Sequence, residues 1–280
     1  MTFQTTYETI ETDERDHVAT VTLHRPDRMN AWTRRMEAEL RHAITGFEVR
    51  EDIAVIIVTG AGRAFCAGAD LDEDQTSDAT LLQLFPPATD RTYWQMRTPT
   101  IAAINGAAVG VGITLPMMLD IRIAAEDAKL GFVFTRRGLT PEFGASWILP
   151  RLIGTANAME LLLTGRIFDG REAVRRGLAN EAHPADRVLE RAREIADDIA
   201  RNVSPVAAAV TKSLVYRGLG TPALASHAAL EQQVYDWALG GADFPEGMAS
   251  FLEKRSPRWP LDKNAAFPTA LLGDLGGESQ

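Results

Sequence analysis

The stretch Arg63-Ala64-Phe65-Cys66-Ala67-Gly68-Ala69-Asp70-Leu71 decides how this chain reads, together with Asn105-Gly106-Ala107-Ala108-Val109-Gly110-Val111-Gly112. Each is a small-residue turn that follows a β-branched run, 55–59 and 100–105, with the pattern of a buried strand. A strand, a glycine turn and then a helix leave backbone N–H groups unpaired and pointing outward. Two such turns facing one point would form a two-donor oxyanion hole without using a side chain.

Composition limits what such a hole could serve. The 280 residues suffice for one large domain, or one domain with an appendage, and a 45% hydrophobic content supplies its core. A formal net charge of −9 argues against nucleic acid as the main partner, while leaving room for a local Arg or Lys cluster that binds an anionic group. One cysteine excludes an internal disulfide framework and a Cys-based zinc site. The polar, acidic start and the lack of an uncharged apolar run of spanning length predict a soluble cytoplasmic protein without a membrane segment.

Working outward, residues 7–12 and 17–24 alternate as a hairpin across 13–16, and 33–49 has the periodicity of an amphipathic helix. Residues 71–87 run acidic, then apolar, then into two prolines, and read as a mobile lid. A helix over 110–119 carries the second glycine turn at its start, and short strands follow at 120–124 and 130–132. Strand and helix alternation of this kind predicts an α/β core with a parallel or mixed sheet. From Glu142 the chain turns helical. Asp169-Gly170-Arg171-Glu172 has capping-box spacing, and Ser204-Pro205 and Thr221-Pro222 place a cap before a first-turn proline. These signals divide the chain into an α/β core at 1–200, a helical region at 201–255 and an extended, loose tail at 256–280, with no internal repeat visible.

Several chemistries are missing. Gly110-Val111-Gly112-Ile113-Thr114-Leu115 starts as a dinucleotide fingerprint but has Leu115 at the third glycine position. The histidines at 17, 24, 42, 183 and 227 lack metal-ligand spacing, so no metal site is expected. Cys66 has no base near it in sequence and reads as a small hydrophobe filling a turn.

At its two turns the chain resembles the enoyl-CoA hydratase/isomerase (crotonase) superfamily. The likeness extends through His24-Arg25-Pro26-Asp27-Arg28-Met29-Asn30-Ala31, residues 64–71, 98–106, Leu162-Leu163-Thr164-Gly165, 173–178 and 247–255. Six ordered segments make a specific signal. The resemblance implies a crotonase-like ββα spiral (the ClpP/crotonase fold) with a C-terminal helical trimerisation region, assembled as a homotrimer or a dimer of trimers. It implies an acyl-CoA thioester substrate, with coenzyme A as part of the substrate and no separate cofactor. Carried over by position, the oxyanion donors would be the N–H groups of Ala69 and Val111. The CoA site would involve Arg28, Met29, Ala67, Asp70 and Leu71, with phosphate-binding cations from Arg25, Arg28 and, across a subunit boundary, Lys254.

The acid/base positions depart from a hydratase. Family hydratases hold a water between two glutamates, and here those positions are Thr114 and Phe134. Neither can take and return a proton near neutral pH. Glu142 stands where the superfamily's 3,2-enoyl-CoA isomerases carry a single catalytic acid. Phe134, Phe143 and Trp147 would desolvate it, and Arg136 or Arg137 would oppose that effect if turned inward. A Pro-Glu pair is also an ordinary helix first turn. The expectation is isomerase-type proton shuttling by Glu142. The alternatives are a hydratase or other enolate chemistry with a non-standard acid/base set, and a non-catalytic acyl-CoA-binding protein.

Overall fold

Strands rich in Val, Ile and Ala, buried along their whole length, build the centre of the molecule. The computed structural model describes residues 6–72, 79–221 and 223–273. The chain begins with β1 (Ile10–Arg15), β2 (Val18–Leu23), α1 (Arg34–Glu48), β3 (Val55–Gly60) and β4 (Ala64–Cys66). After α2 (Ala79–Leu84) come β5 (Thr100–Ile104), β6 (Ala107–Val109), α3 (Val111–Met117), β7 (Ile121–Ala125) and β8 (Leu130–Gly131). Next are α4 (Ala145–Ile153), α5 (Thr155–Thr164), α6 (Gly170–Arg176), β9 (Glu181–His183) and α7 (Val188–Asn202). The C-terminal part holds α8 (Pro205–Gly218), α9 (Leu224–Leu239), α10 (Asp243–Glu253) and α11 (Thr269–Leu272).

Two sheets result. The larger has the order β1-β2-β3-β5-β7-β9, antiparallel only at the β1/β2 hairpin, and the smaller has the order β4-β6-β8 and is parallel. Val21 pairs with Val58, Val58 with Ala102 and Ala102 with Arg122 in the large sheet. In three successive turns a large-sheet strand is followed by a small-sheet strand, as β3–β4, β5–β6 and β7–β8. These three turns form the ββα spiral that the family resemblance implies, although the residues themselves show no internal repeat. Its corners are tight: a Cβ on Gly60 would lie 2.3 Å from the Ala64 carbonyl oxygen, and one on Gly106 would lie 2.1 Å from that of Arg63. Each corner forces the chain from one sheet into the other.

Two of the three cap signals hold. The Asp169 carboxylate accepts from Glu172 N–H at 2.7 Å, and the Ser204 hydroxyl accepts from Ala207 N–H at 3.0 Å. The third does not. Thr221 donates its hydroxyl back to the Arg217 carbonyl, and α9 starts at Leu224 behind Ala223, without a side-chain cap. Pro222, and residues 73–78 of the segment expected as a lid, lie outside the described residues.

The described part of the tail, residues 256–273, is not loose and ends in the short helix α11. Lys263 is 1% exposed and its ammonium donates to the Ile53 carbonyl. Arg97 donates to Asn264 O at 3.0 Å and lies 4.2 Å over the Phe267 ring. Residues 261–272 thus clamp the end of α1 against the start of β3 and β5. Burial pulls the Lys263 ammonium down from its ordinary 10.5 to about 8, against the charges of Glu48, Asp262 and Asp52, which favour protonation. Between those two values the unfolded chain holds a proton that the folded chain has lost, so stability attributable to this group rises with pH across that window. Urea unfolding of wild type and Lys263→Met at about pH 7 and about pH 9.5 checks this. Wild type is expected to gain on the variant at the higher pH, and a pH-independent difference would contradict it.

Candidate active site

The two turns leave the same edge of the small sheet. β4 and β6 are parallel neighbours with Cys66 opposite Ala108, so both chains emerge from their C-terminal ends side by side. Trp32 forms a parallel bridge to Ala69: its N–H donates to Gly68 O at 2.8 Å and its carbonyl accepts from Asp70 N–H at 2.9 Å. That pattern turns the N–H of Ala69 the other way. In the second turn, Gly110 N–H donates to Gly131 O, and the Ile113 and Thr114 N–H groups both reach Gly110 O at 3.1 Å. Val111, the first residue of α3, is left out of this ladder. Among the described residues, no acceptor faces the N–H of Ala69 or of Val111.

Glycines press the two turns together. Gly68 has φ +108°, and a Cβ there would lie 3.1 Å from Val109 O. A Cβ on Gly112 would lie only 1.9 Å from the Cys66 carbonyl oxygen. Val111 itself tolerates a side chain because it sits in a helical first turn after the positive-φ Gly110. Two preorganised N–H donors at one sheet edge can hold an oxygen on which negative charge develops.

Around this edge, residues 25–32 act as a brace that the sequence reading did not anticipate. Asn30 is fully buried in the left-handed region, φ 54°. Its amide accepts from Arg25 N–H and donates to the carbonyls of Ala61 and Ala64, each within 2.9 Å. Its signal in sequence was only that Asn accepts such a conformation more readily than most residues. Met29 is also left-handed and accepts from Ala67 N–H at 3.1 Å, which joins two residues expected at the CoA site. Arg25 is not free for a phosphate. Its guanidinium donates to Ala31 O at 2.6 Å and to the buried Asp70 carboxylate at 2.8 Å. That pairing holds the Asp70 carboxyl below the usual carboxylate range. Asp70→Asn should therefore loosen the 67–72 loop and cost about 1.5–3 kcal/mol in the urea midpoint, with faster amide exchange confined to that loop. An unchanged midpoint would show that the brace does not depend on charge.

The remaining expected CoA residues are dispersed. Arg28 makes an exposed ion pair with Asp72 at 3.0 Å, and Leu71 is exposed. Lys254 is exposed in the left-handed C-cap of α10, and no hydrogen bond or ion pair among the described residues joins it to Arg28 or Met29. A cavity of about 370 Å³ opens beside Met29 and includes Arg63, Asn105 and Lys129. Glu126 and Asp127 on its wall are taken up by Arg171, whereas Arg63 and Lys129 form no ion pair among the described residues.

The acid/base positions are clear. Thr114 is buried and donates its hydroxyl to Val111 O, and Phe134 is buried in the core. Glu142 is solvent-accessible and does not lie in a helix first turn: Phe143 and Gly144 both have positive φ, and α4 begins only at Ala145. This double left-handed step presents Glu142 ahead of the helix. The Phe143 ring meets the Trp32 ring edge-on at 6.3 Å, which places Glu142 next to the residue that brackets Ala69. Partial burial raises the Glu142 carboxyl pKa first, the Glu37 charge raises it further, and Arg34 opposes both. Arg136 does not, since its guanidinium donates to Thr164 O at 2.6 Å. Of the three expected aromatic neighbours, Phe143 packs beside the site, while Trp147 is exposed with the Arg151 guanidinium 3.7 Å over its ring.

Among the described residues no helix is long and apolar enough to cross a membrane. The family model for enoyl-CoA hydratase/isomerase matches residues 13–262. The enoyl-CoA hydratase ACTT3 of Alternaria alternata is 38% identical over 254 residues, covering 89% of this chain and 85% of that protein. Among solved structures, an enoyl-CoA hydratase from Bacillus anthracis has a TM-score of 0.80 at 34% identity, covering 90% of this chain and 99% of its own. A structure described as a probable enoyl-CoA hydratase/isomerase from Mycobacterium abscessus has the same TM-score at 40% identity, covering 91% and 99%. With the two-sheet spiral and the paired glycine turns in place over nearly the whole length of these relatives, the chain belongs to the enoyl-CoA hydratase/isomerase family, on the crotonase fold.

Proposed function

We propose that this protein moves the double bond of a 3-enoyl-CoA thioester to the 2-position, with Glu142 as its single proton carrier. The observation that carries this reading is an accessible carboxylate one residue from the ring packed on Trp32, combined with Thr114 and Phe134 at the hydratase positions. Ionised Glu142 removes a C2 proton, which the carbonyl and the adjacent double bond acidify. Negative charge moves to the thioester oxygen, where the N–H groups of Ala69 and Val111 receive it. The same carboxyl then delivers the proton to C4, and the double bond settles between C2 and C3. Desolvation and the Glu37 charge make Glu142 a better base than an ordinary glutamate, and the Arg34 charge limits that rise.

The same reading assigns Met29, Ala67, Asp70 and Leu71 to the CoA site, with Arg28, Arg63, Lys129 and a neighbouring subunit's copy of Lys254 as cations for its phosphates. It takes the protein to act as a homotrimer or dimer of trimers. The exposed apolar side chains of Phe244, Met248, Phe251 and Leu252 on α10 support that assembly. The names of the relatives favour hydration as the second reading. The discriminating experiment gives the purified protein 3-enoyl-CoA and 2-enoyl-CoA separately and follows the products. Conversion of the former to 2-enoyl-CoA is expected. Water addition to the latter as the faster reaction would favour a hydratase, and tight binding without turnover would favour an acyl-CoA-binding protein.

A further inference from the structure

The second glycine turn opens a short helix whose far end is tied to another part of the molecule. α3 spans only Val111–Met117, and every residue in it is buried. The chain then passes through Met118, Leu119 and Asp120 into β7. Two buried cations hold this exit. Arg122 donates to Leu119 O at 2.5 Å and to Leu178 O at 2.6 Å. Asp120 is bound to Thr100, the first residue of β5. Its N–H donates to the Thr100 carbonyl and hydroxyl oxygens, and its Oδ2 accepts from the Thr100 N–H at 2.7 Å and hydroxyl at 2.8 Å. A third partner of Oδ2 comes from the C-terminal helices. Lys212 on α8 places its ammonium 2.8 Å away, with 6% of its side chain exposed, and also donates to Thr98 O at 3.1 Å.

Beside this pair a cavity of about 490 Å³ opens between α8 and the exit, walled by Met117, Ile148, Leu152 and Val215. On that side the ion pair stands where close packing would otherwise hold the chain. A buried carboxylate that loses its counter-charge is costly, and here the cavity gives it room to move. At seven residues, α3 has about two turns, too few to absorb a displacement by bending, so movement at Asp120 is carried along its axis. We infer that Lys212 is a positioning residue for the proposed oxyanion hole: by holding Asp120 on Thr100 it fixes α3 along its axis, and with it the Val111 N–H. This inference rests on the reading of Val111 as a donor to the thioester oxygen. The C-terminal helices then support the hole from the opposite end of α3, through one side chain.

The test reads the hole directly. The full-length protein is given butyryl-CoA with carbon-13 in the thioester carbonyl, which has no double bond to move, and isotope-edited infrared spectra give the C=O stretch of the bound molecule. Donors in an oxyanion hole polarise that bond, so in wild type the stretch should lie below that of the free thioester. Lys212→Met keeps the unbranched stem and removes the charge. It is expected to lose about half of this lowering and about 10-fold in kcat for isomerisation, with KM within about threefold. If the unpaired Asp120 prevents folding, the double variant Lys212→Met/Asp120→Asn, which buries no lone charge, is read in its place with the same loss expected. Lys263→Met, which disturbs the tail, should leave the stretch at the wild-type value. Lys212 variants that keep the full lowering, or an equal loss in Lys263→Met, overturn the inference. A wild-type stretch equal to that of the free thioester would remove the hole itself and the inference with it. The stretch does not depend on which residue carries the proton, so failure of the Glu142 reading leaves this result standing.

Discussion

Glu142→Gln is expected to lower kcat for isomerisation of a 3-enoyl-CoA by about 10²–10⁴-fold, the range typical for removing a general base, while KM stays within a few-fold. The amide keeps the shape of the side chain, so binding contacts survive and the missing proton transfer is what the assay reads. The two hydratase positions supply no substitute: the Thr114 hydroxyl is spent on Val111 O, and Phe134 has no proton to give. Steady-state kinetics and loss of deuterium from C2 of a labelled substrate measure the effect. A variant retaining a tenth or more of wild-type activity would remove Glu142 from the mechanism. In wild type the acid limb of kcat/KM should lie above the ordinary glutamate value of 4.5, because the shift is upward and only the ionised carboxylate removes a proton. Activity therefore falls as pH drops through that raised value.

Gly112→Ala is expected to be nearly as damaging without touching any reacting group. The new methyl would sit 1.9 Å from the Cys66 carbonyl oxygen, so α3 and β4 must part. The Val111 N–H is one residue away and moves with the helix, while the Ala69 N–H stays with the Trp32 bridge. Loss of one aligned oxyanion donor costs about 10²–10³ in kcat. The overpacking itself costs about 1–3 kcal/mol of stability. Gly46→Ala is the control, since a Cβ at that position in α1 meets nothing within 4 Å. It should hold kcat and raise stability by about 0.5–1 kcal/mol. Equal kcat in both variants would mean that the spacing of the two turns does not matter to the reaction.

What could be read beforehand was local. The turn at Val111 follows from strand, glycine and helix in immediate succession, and the caps at Asp169 and Ser204 from side chains that bond three residues ahead. The helix expected after Ala69, by contrast, does not open at residues 70–72, and the bridge to Trp32 aims the Ala69 N–H instead. The illegible features depend on distant partners. Arg25 looked like a phosphate ligand because nothing near it in sequence announces Asp70, 45 residues later. Glu142 also read as a helix first turn because Pro-Glu is one in most settings, and the left-handed Phe143 and Gly144 show otherwise. The burial of the tail's Lys263 against the Ile53 carbonyl, a partner far away in the chain, had no sequence signature. The spiral was legible only through the family resemblance, because its turns share tight corners rather than a run of similar residues.

The Ala69 and Val111 N–H groups lie just beyond the ends of two adjacent strands of one small sheet, whereas Glu142 stands on a separate loop ahead of α4. The spacing of the proposed hole is therefore set by how closely the β4 and β6 turns approach, a distance that depends on Gly68 and Gly112 carrying no side chain. The proposed proton carrier has no such constraint and can be relocated by exchanging one loop residue for another. A lineage built on this plan can change its reaction without re-measuring its anion site, and Thr114 and Phe134 mark positions that this chain has left vacant of carboxylates.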